Sequence, residues 1–125
     1  VSDLARLIAR LEAATDGTVS LSEEVARAVG WVSWRGQWFA PGTDPAGNPP
    51  SLDGAPNFTR SLDAALTLVP ETAGIEINRY WLTTRDGAVW SAQLRWGLRD
   101  SAASEDAPSA PLALCIAALK ARSAA

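Results

Sequence analysis

Leu4, Leu7, Ile8 and Leu11 recur at the i, i+3, i+4, i+7 spacing of an amphipathic helix, with Asp3, Arg6, Arg10 and Glu12 between them. Ser2 stands at the N-cap position and Asp3 in the first turn, so the pattern predicts a helix over 3–14, closed by an Asp16-Gly17 turn. Leu21, Val25, Ala28 and Val29 continue the period over 21–29, where Ser20 and Glu23 fit a capping box and Gly30 supplies the stop. The period then shortens. Trp31-Val32-Ser33-Trp34 and Gln37-Trp38-Phe39 flank Arg35-Gly36, which predicts two short strands (31–35 and 37–40) around a tight turn. Pro41 to Pro56 holds five prolines and three glycines and predicts a long irregular loop.

A third helix is predicted over 61–69, capped by Thr59 or Ser61, with Leu62, Leu66 and Val69 inward and Pro70 as its stop. Ile75–Thr84 and Ala88–Trp96 alternate with period two around Asp86-Gly87, a second hairpin. A two-residue turn there sets Trp81 opposite Ala92 and Arg79 opposite Leu94. One face then carries Ile75, Ile77, Trp81, Trp90, Ala92, Leu94 and Trp96; the other carries Asn78, Tyr80, Leu82, Val89, Ser91, Gln93 and Arg95. Gly97 to Pro108 is polar and predicts a loop. Ser109, Pro111 and the apolar run Leu112–Leu119 predict a last helix over 110–122. The order α-α-β-β-α-β-β-α, with no βαβ unit, predicts one α+β domain over 1–125: a small antiparallel sheet built from two hairpins and covered by four helices.

Composition narrows the chemistry. A net charge of −3 with a pI near 4.8 disfavours bulk electrostatic binding to nucleic acid or an anionic membrane. No apolar run reaches the ~18 residues of a membrane span, and the N-terminal segment lacks a secretory leader's pattern. No histidine occurs, which removes Ser-His-Asp and Cys-His catalysis and the usual zinc sites. Cys115, the only cysteine, sits among leucines as a small core hydrophobe. The pairs Glu23-Glu24 and Glu105-Asp106 fall in a first helical turn and a polar segment, where negative charge needs no catalytic explanation. The chain therefore reads as a non-enzyme with no cofactor.

Two features stand above that background. Six tryptophans lie in the two hairpins; three fill the larger hairpin's core face, but Trp31 and Trp34 have opposite parity and cannot both face inward. Ten of the eleven basic residues are arginine, suited to planar anion recognition. The candidate ligand-binding set is Trp34, Trp38, Phe58, Arg60, Ser61, Arg79, Tyr80 and Arg95, gathered where the Pro-rich loop, the first hairpin and the third helix meet. Arg60 lies beside a helix N-terminus, and Arg79 is the one charge on an apolar hairpin face.

Pro56-Asn57-Phe58-Thr59-Arg60-Ser61-Leu62-Asp63-Ala64-Ala65-Leu66 resembles a motif of small phage and prophage proteins described as having an ABA sandwich domain, with Phe58 where tyrosine is commoner. The helix pair, Trp-rich hairpin, Pro-rich loop and Ala/Leu-rich last helix follow the same order. The resemblance implies an α+β sandwich of phage origin, located in the cytoplasm of an infected bacterium, and no catalytic residues. Two functional expectations follow. One is a counter-defence sponge, a homo-oligomer sequestering an anionic, nucleotide-derived immune signal. The other is a phage protein–protein interaction factor, for virion assembly or host takeover, with a flat apolar patch and no small-molecule ligand.

Overall fold

The computed structural model describes residues 3–47, 49–71, 73–81, 88–96 and 100–124. Ser2, Arg85 and the Asp86-Gly87 turn lie outside them. The protein is α+β, with helices and hairpins in the expected order and one additional strand. The elements are α1 (Asp3–Ala13), α2 (Val19–Ala28), β1 (Val32–Trp34), β2 (Gln37–Phe39), α3 (Leu62–Leu66), β3 (Gly74–Trp81), β4 (Ala88–Trp96), β5 (Asp100–Ala107) and α4 (Ala110–Ala124).

The hairpins do not join into one sheet. β1 and β2 form a two-stranded antiparallel sheet, and β3-β4-β5 a separate antiparallel sheet of three. The stretch expected as a polar loop supplies β5. Its sequence, Asp-Ser-Ala-Ala-Ser-Glu-Asp-Ala, has no β-branched or aromatic residue, and pairing with β4 overrides that poor propensity. The β3–β4 register also differs from the expected one: Trp81 pairs with Ala88, Arg79 with Trp90 and Ile75 with Leu94. The shift is four residues. Because four is even, the described positions keep the alternation expected of them: Ala92 and Leu94 are buried and Trp90 and Trp96 pack against the core, whereas Ile75 at the edge is 43% exposed and Val89, on the face expected to be open, is buried.

Helix α4 is the centre of the molecule. Leu112 through Leu119 are all buried, and the helix packs against β4 and β5 on one side and α1 and α3 on the other. A helix apolar all round is one with neighbours all round. Ser109 caps it, its Oγ accepting from the Leu112 N–H at 3.4 Å. Lys120 fastens the far end, pairing with Glu12 of α1 at 3.2 Å and donating to the Ala103 carbonyl of β5 at 3.1 Å.

Caps follow local chemistry, with one correction. Thr18, not Ser20, caps α2: it is extended and its side chain accepts from Leu21 N–H at 3.1 Å, so the helix starts two residues before the capping-box position. Gly30 stops α2 as expected, with φ +101°. Gly30 N–H bonds the Arg27 carbonyl and Trp31 N–H the Ala26 carbonyl, the two bonds of a Schellman motif. Ser61 caps α3, accepting from Ala64 N–H at 3.3 Å, but α3 is shorter than predicted and gives way to turns before Pro70.

Candidate functional site

The β1–β2 hairpin turns on two residues in left-handed conformations, Arg35 at φ +53° and Gly36 at φ +78°, the signature of a type I′ turn. Strand parity then divides the side chains. Ser33 and Trp38 share the inner face, while Val32, Trp34, Gln37 and Phe39 share the outer one. Trp38 is 6% exposed within the core, with the Arg27 guanidinium 5.1 Å from its ring centre. Trp34 is 41% exposed. The Arg35 guanidinium sits 4.4 Å from the Trp34 ring centre, and the buried Phe39 ring tilts against it at 6.3 Å. Val32 beside them is 47% exposed.

The Pro-rich segment straps this hairpin down. Trp38 and Leu52 exchange both backbone bonds, Trp38 N–H to Leu52 O at 2.8 Å and Leu52 N–H to Trp38 O at 3.0 Å. Gln37 donates to Asp53 at 3.1 Å and accepts from Ser51 at 3.0 Å. The result is an outer face braced by backbone and side-chain bonds, on which one indole contacts both a cation and a second ring. Arginine at a left-handed turn position is unfavourable by about 1–2 kcal/mol, a cost asparagine largely avoids. Against that stands a cation–π contact of about 0.5–1 kcal/mol. Arg35→Asn is therefore expected to be neutral or stabilising, by up to about 1 kcal/mol in urea unfolding. A loss of more than that would show the Arg35–Trp34 stack to be a structural element.

The expected ligand-binding residues do not converge. Phe58, 1% exposed, is a core side chain like Trp38; both rings are consumed by packing. Arg60 is exposed, and its stem lies over Gly17. Ser61 is occupied as the α3 cap. Arg79 lies opposite Trp90 with its guanidinium 5.7 Å from the ring centre, and Arg95, on the other face of the same sheet, donates to Gln93 at 3.4 Å. Tyr80 pairs with Val89 in β3. Arg79 and Arg95 thus point to opposite sides and cannot grip one anion.

The motif around Phe58 is an anchor. Thr59 is buried and its Oγ1 donates to the Thr18 carbonyl at 3.0 Å. With its proton so placed, Thr59 Oγ1 accepts the 2.7 Å bond from Ser22 Oγ, which in turn accepts from Thr59 N–H at 3.2 Å. This closed circuit ties residues 57–61 to the start of α2. Cys115 Sγ donates to the Phe58 carbonyl at 3.0 Å, tying the same turn to α4.

Burial pushes the Cys115 thiol from 9.0 up to about 12. A thiol raised in the folded state contributes stability that is complete below its ordinary value and lost as pH rises from about 9 toward 12. The urea midpoint should fall over that alkaline range, and less steeply in Cys115→Ala. At pH 8 the native thiol should resist a disulfide reagent until the protein unfolds.

Among the described residues, one cleft of about 680 Å³ lies between α1 and α2, lined by Leu4, Leu7, Ala28 and the three arginines Arg6, Arg10 and Arg27. Each arginine faces a carboxylate: Arg6 with Asp3 at 3.8 Å, Arg27 with Glu23 at 3.9 Å, and Arg10 with Glu24. A second cleft of about 400 Å³, mostly apolar, lies between Leu68, Pro70, Trp96, Ala118 and Arg122. Among the described residues no group of three or more His, Cys, Asp or Glu is placed to hold a metal ion, and no helix is long and apolar enough to cross a membrane. Sequence reasoning passed over Val32, Arg35 and Phe39, although the opposite parity of Trp31 and Trp34 already required one indole to face outward. No family model, curated protein or solved structure matches the chain.

Proposed function

We propose that this protein is a non-catalytic interaction protein, of phage or prophage origin as the Pro56–Leu66 resemblance implies, that captures a partner protein on the outer face of β1–β2 in the cytoplasm of an infected bacterium. The observation that carries this reading is Trp34, exposed yet held in place by Arg35 and Phe39. Tryptophan and arginine are the side chains most enriched among binding hot spots, and an indole already fixed loses little entropy on docking. The test passes host lysate over immobilised protein beside its Trp34→Ala variant. A partner held by the wild type should bind the variant at least about thirtyfold more weakly, the factor for a 2 kcal/mol hot spot. Identical retention by both proteins would remove Trp34 as the docking residue.

One observation favours the sponge reading, at a different place from the expected one. Arg6, Arg10 and Arg27 line the α1–α2 cleft, and a phosphate-bearing ligand there would exchange their carboxylate partners for its own oxygens. Cyclic nucleotides and cyclic ADP-ribose isomers should then raise the melting temperature by a few degrees, and Arg10→Ala should abolish the shift. No shift with any of them leaves the interaction reading alone.

A further inference from the structure

The outer edge of β3 is the feature the preceding reading does not use. Helix α4 packs across β4 and β5 and barely reaches β3. Ile75 on the helix-facing side of β3 is 43% exposed and Ile77 only partly buried. β3 is also an edge strand, and among the described residues nothing pairs with its free side. Eight residues thus present alternate backbone N–H and C=O groups outward; the strand has no proline, lysine or bulge, and its two charges, Glu76 and Arg79, are of opposite sign. The opposite edge differs: the sequence of β5 holds three acids and no base, and β5 meets β4 through a register shift.

We propose that β3 pairs antiparallel with β3 of a second copy of this chain, about a two-fold axis at Ile77, to give a continuous six-stranded sheet. Charge and face select this register. A two-fold axis across the sheet keeps helix-facing residues on one side in both copies, so it must pass through a residue position and not between two. Centred on Glu76 it opposes two carboxylates, and centred on Arg79 two guanidinium groups. Centred on Ile77 it sets Ile77 against the partner's Ile77, Ile75 against the partner's Arg79, and Glu76 against the partner's Asn78. Within one chain Asn78 Nδ2 already donates to Glu76 Oε1 at 3.2 Å. The dimer offers that carboxamide–carboxylate bond twice across the axis. An axis at Asn78 also avoids like charges, but sets Ile77 against the partner's Arg79 and leaves Glu76 without its amide.

Sedimentation velocity over a concentration series tests this independently of Trp34. The wild type should approach twice the 13.2 kDa chain mass. Ile75→Lys, which sets a second cation before the partner's Arg79, should weaken association by about tenfold or more while its far-UV circular dichroism stays unchanged. Directly opposed residues bring their Cα atoms to about 4.5–5.5 Å, within disulfide reach. Ile77→Cys should therefore cross-link on mild oxidation and Asn78→Cys should not, with Cys115 buried and inert in both. A monomer at every concentration, a dimer that Ile75→Lys leaves intact, or faster cross-linking through position 78 overturns the proposal. Should Ile75→Lys fail to fold, the two cysteine variants decide it alone.

Discussion

Phe58→Ala should lower the free energy of unfolding by about 3–5 kcal/mol. The ring is 1% exposed at the centre of the core, so truncation forfeits its full transfer energy. The larger part of the argument concerns what cannot move to fill the space. Phe58 N–H bonds the Pro56 carbonyl at 2.8 Å, its own carbonyl accepts from Cys115, and the next residue is locked to Ser22 and Thr18. A backbone held at both ends does not collapse into a cavity, and a cavity that stays open keeps its cost. Urea unfolding checks the value, with the slope unchanged. A loss under about 1.5 kcal/mol would mean that the 56–61 turn relaxes freely and is no anchor.

Gly17→Ala should cost about 3 kcal/mol, the upper end of the overpacking range, because the obstacle is main chain. A Cβ there would lie 2.1 Å from the Thr59 carbonyl oxygen, 2.6 Å from its carbon and 2.9 Å from Arg60 Cγ. The arginine stem can swing aside. The Thr59 carbonyl cannot, since the Thr59 side chain and N–H are both committed to α2. Gly47→Ala is the control: a Cβ at Gly47 meets nothing within 4 Å, and a change within about 0.5 kcal/mol is expected. Equal losses at the two positions would show that the Thr59 contact does not set the cost at Gly17, since Gly→Ala acting through the unfolded chain stabilises instead.

These two positions show where sequence reading succeeds and where it stops. The helical face of α1, the Gly30 stop, the Ser61 and Ser109 caps and the alternation of β3 and β4 were legible because each is set by local period or backbone geometry; the face of α2 was legible only in part, since Ser22 and Ala26 are buried and Ala28, expected inward, is exposed. β5 was not, because its alanines, serines and acids extend only when β4 offers a ladder. The division into two sheets is a long-range outcome that no local pattern encodes. The candidate site was half legible. Trp34 emerged from parity, but Trp38 and Phe58 were expected at a surface and lie inside, because an aromatic beside a mobile-looking loop reads the same whichever way it points. Arg79 and Arg95 were grouped by residue type, although their opposite parity on neighbouring strands already placed them on opposite faces. Gly17 read as a simple turn glycine, since the contact that requires it comes from a segment roughly forty residues away.

The central position of α4 has a consequence for how the chain is made. Leu7, Ile8 and Leu11 lie on α1, which packs against α4, so part of their cover arrives with Leu112–Leu119, roughly a hundred residues later. At about 5–20 residues per second of synthesis, α1 waits on the order of 5–20 s for that part of its cover. The three-stranded sheet waits too, with its inner face bare until the same helix is complete. The core is complete only once α4, its last and central element, has been made.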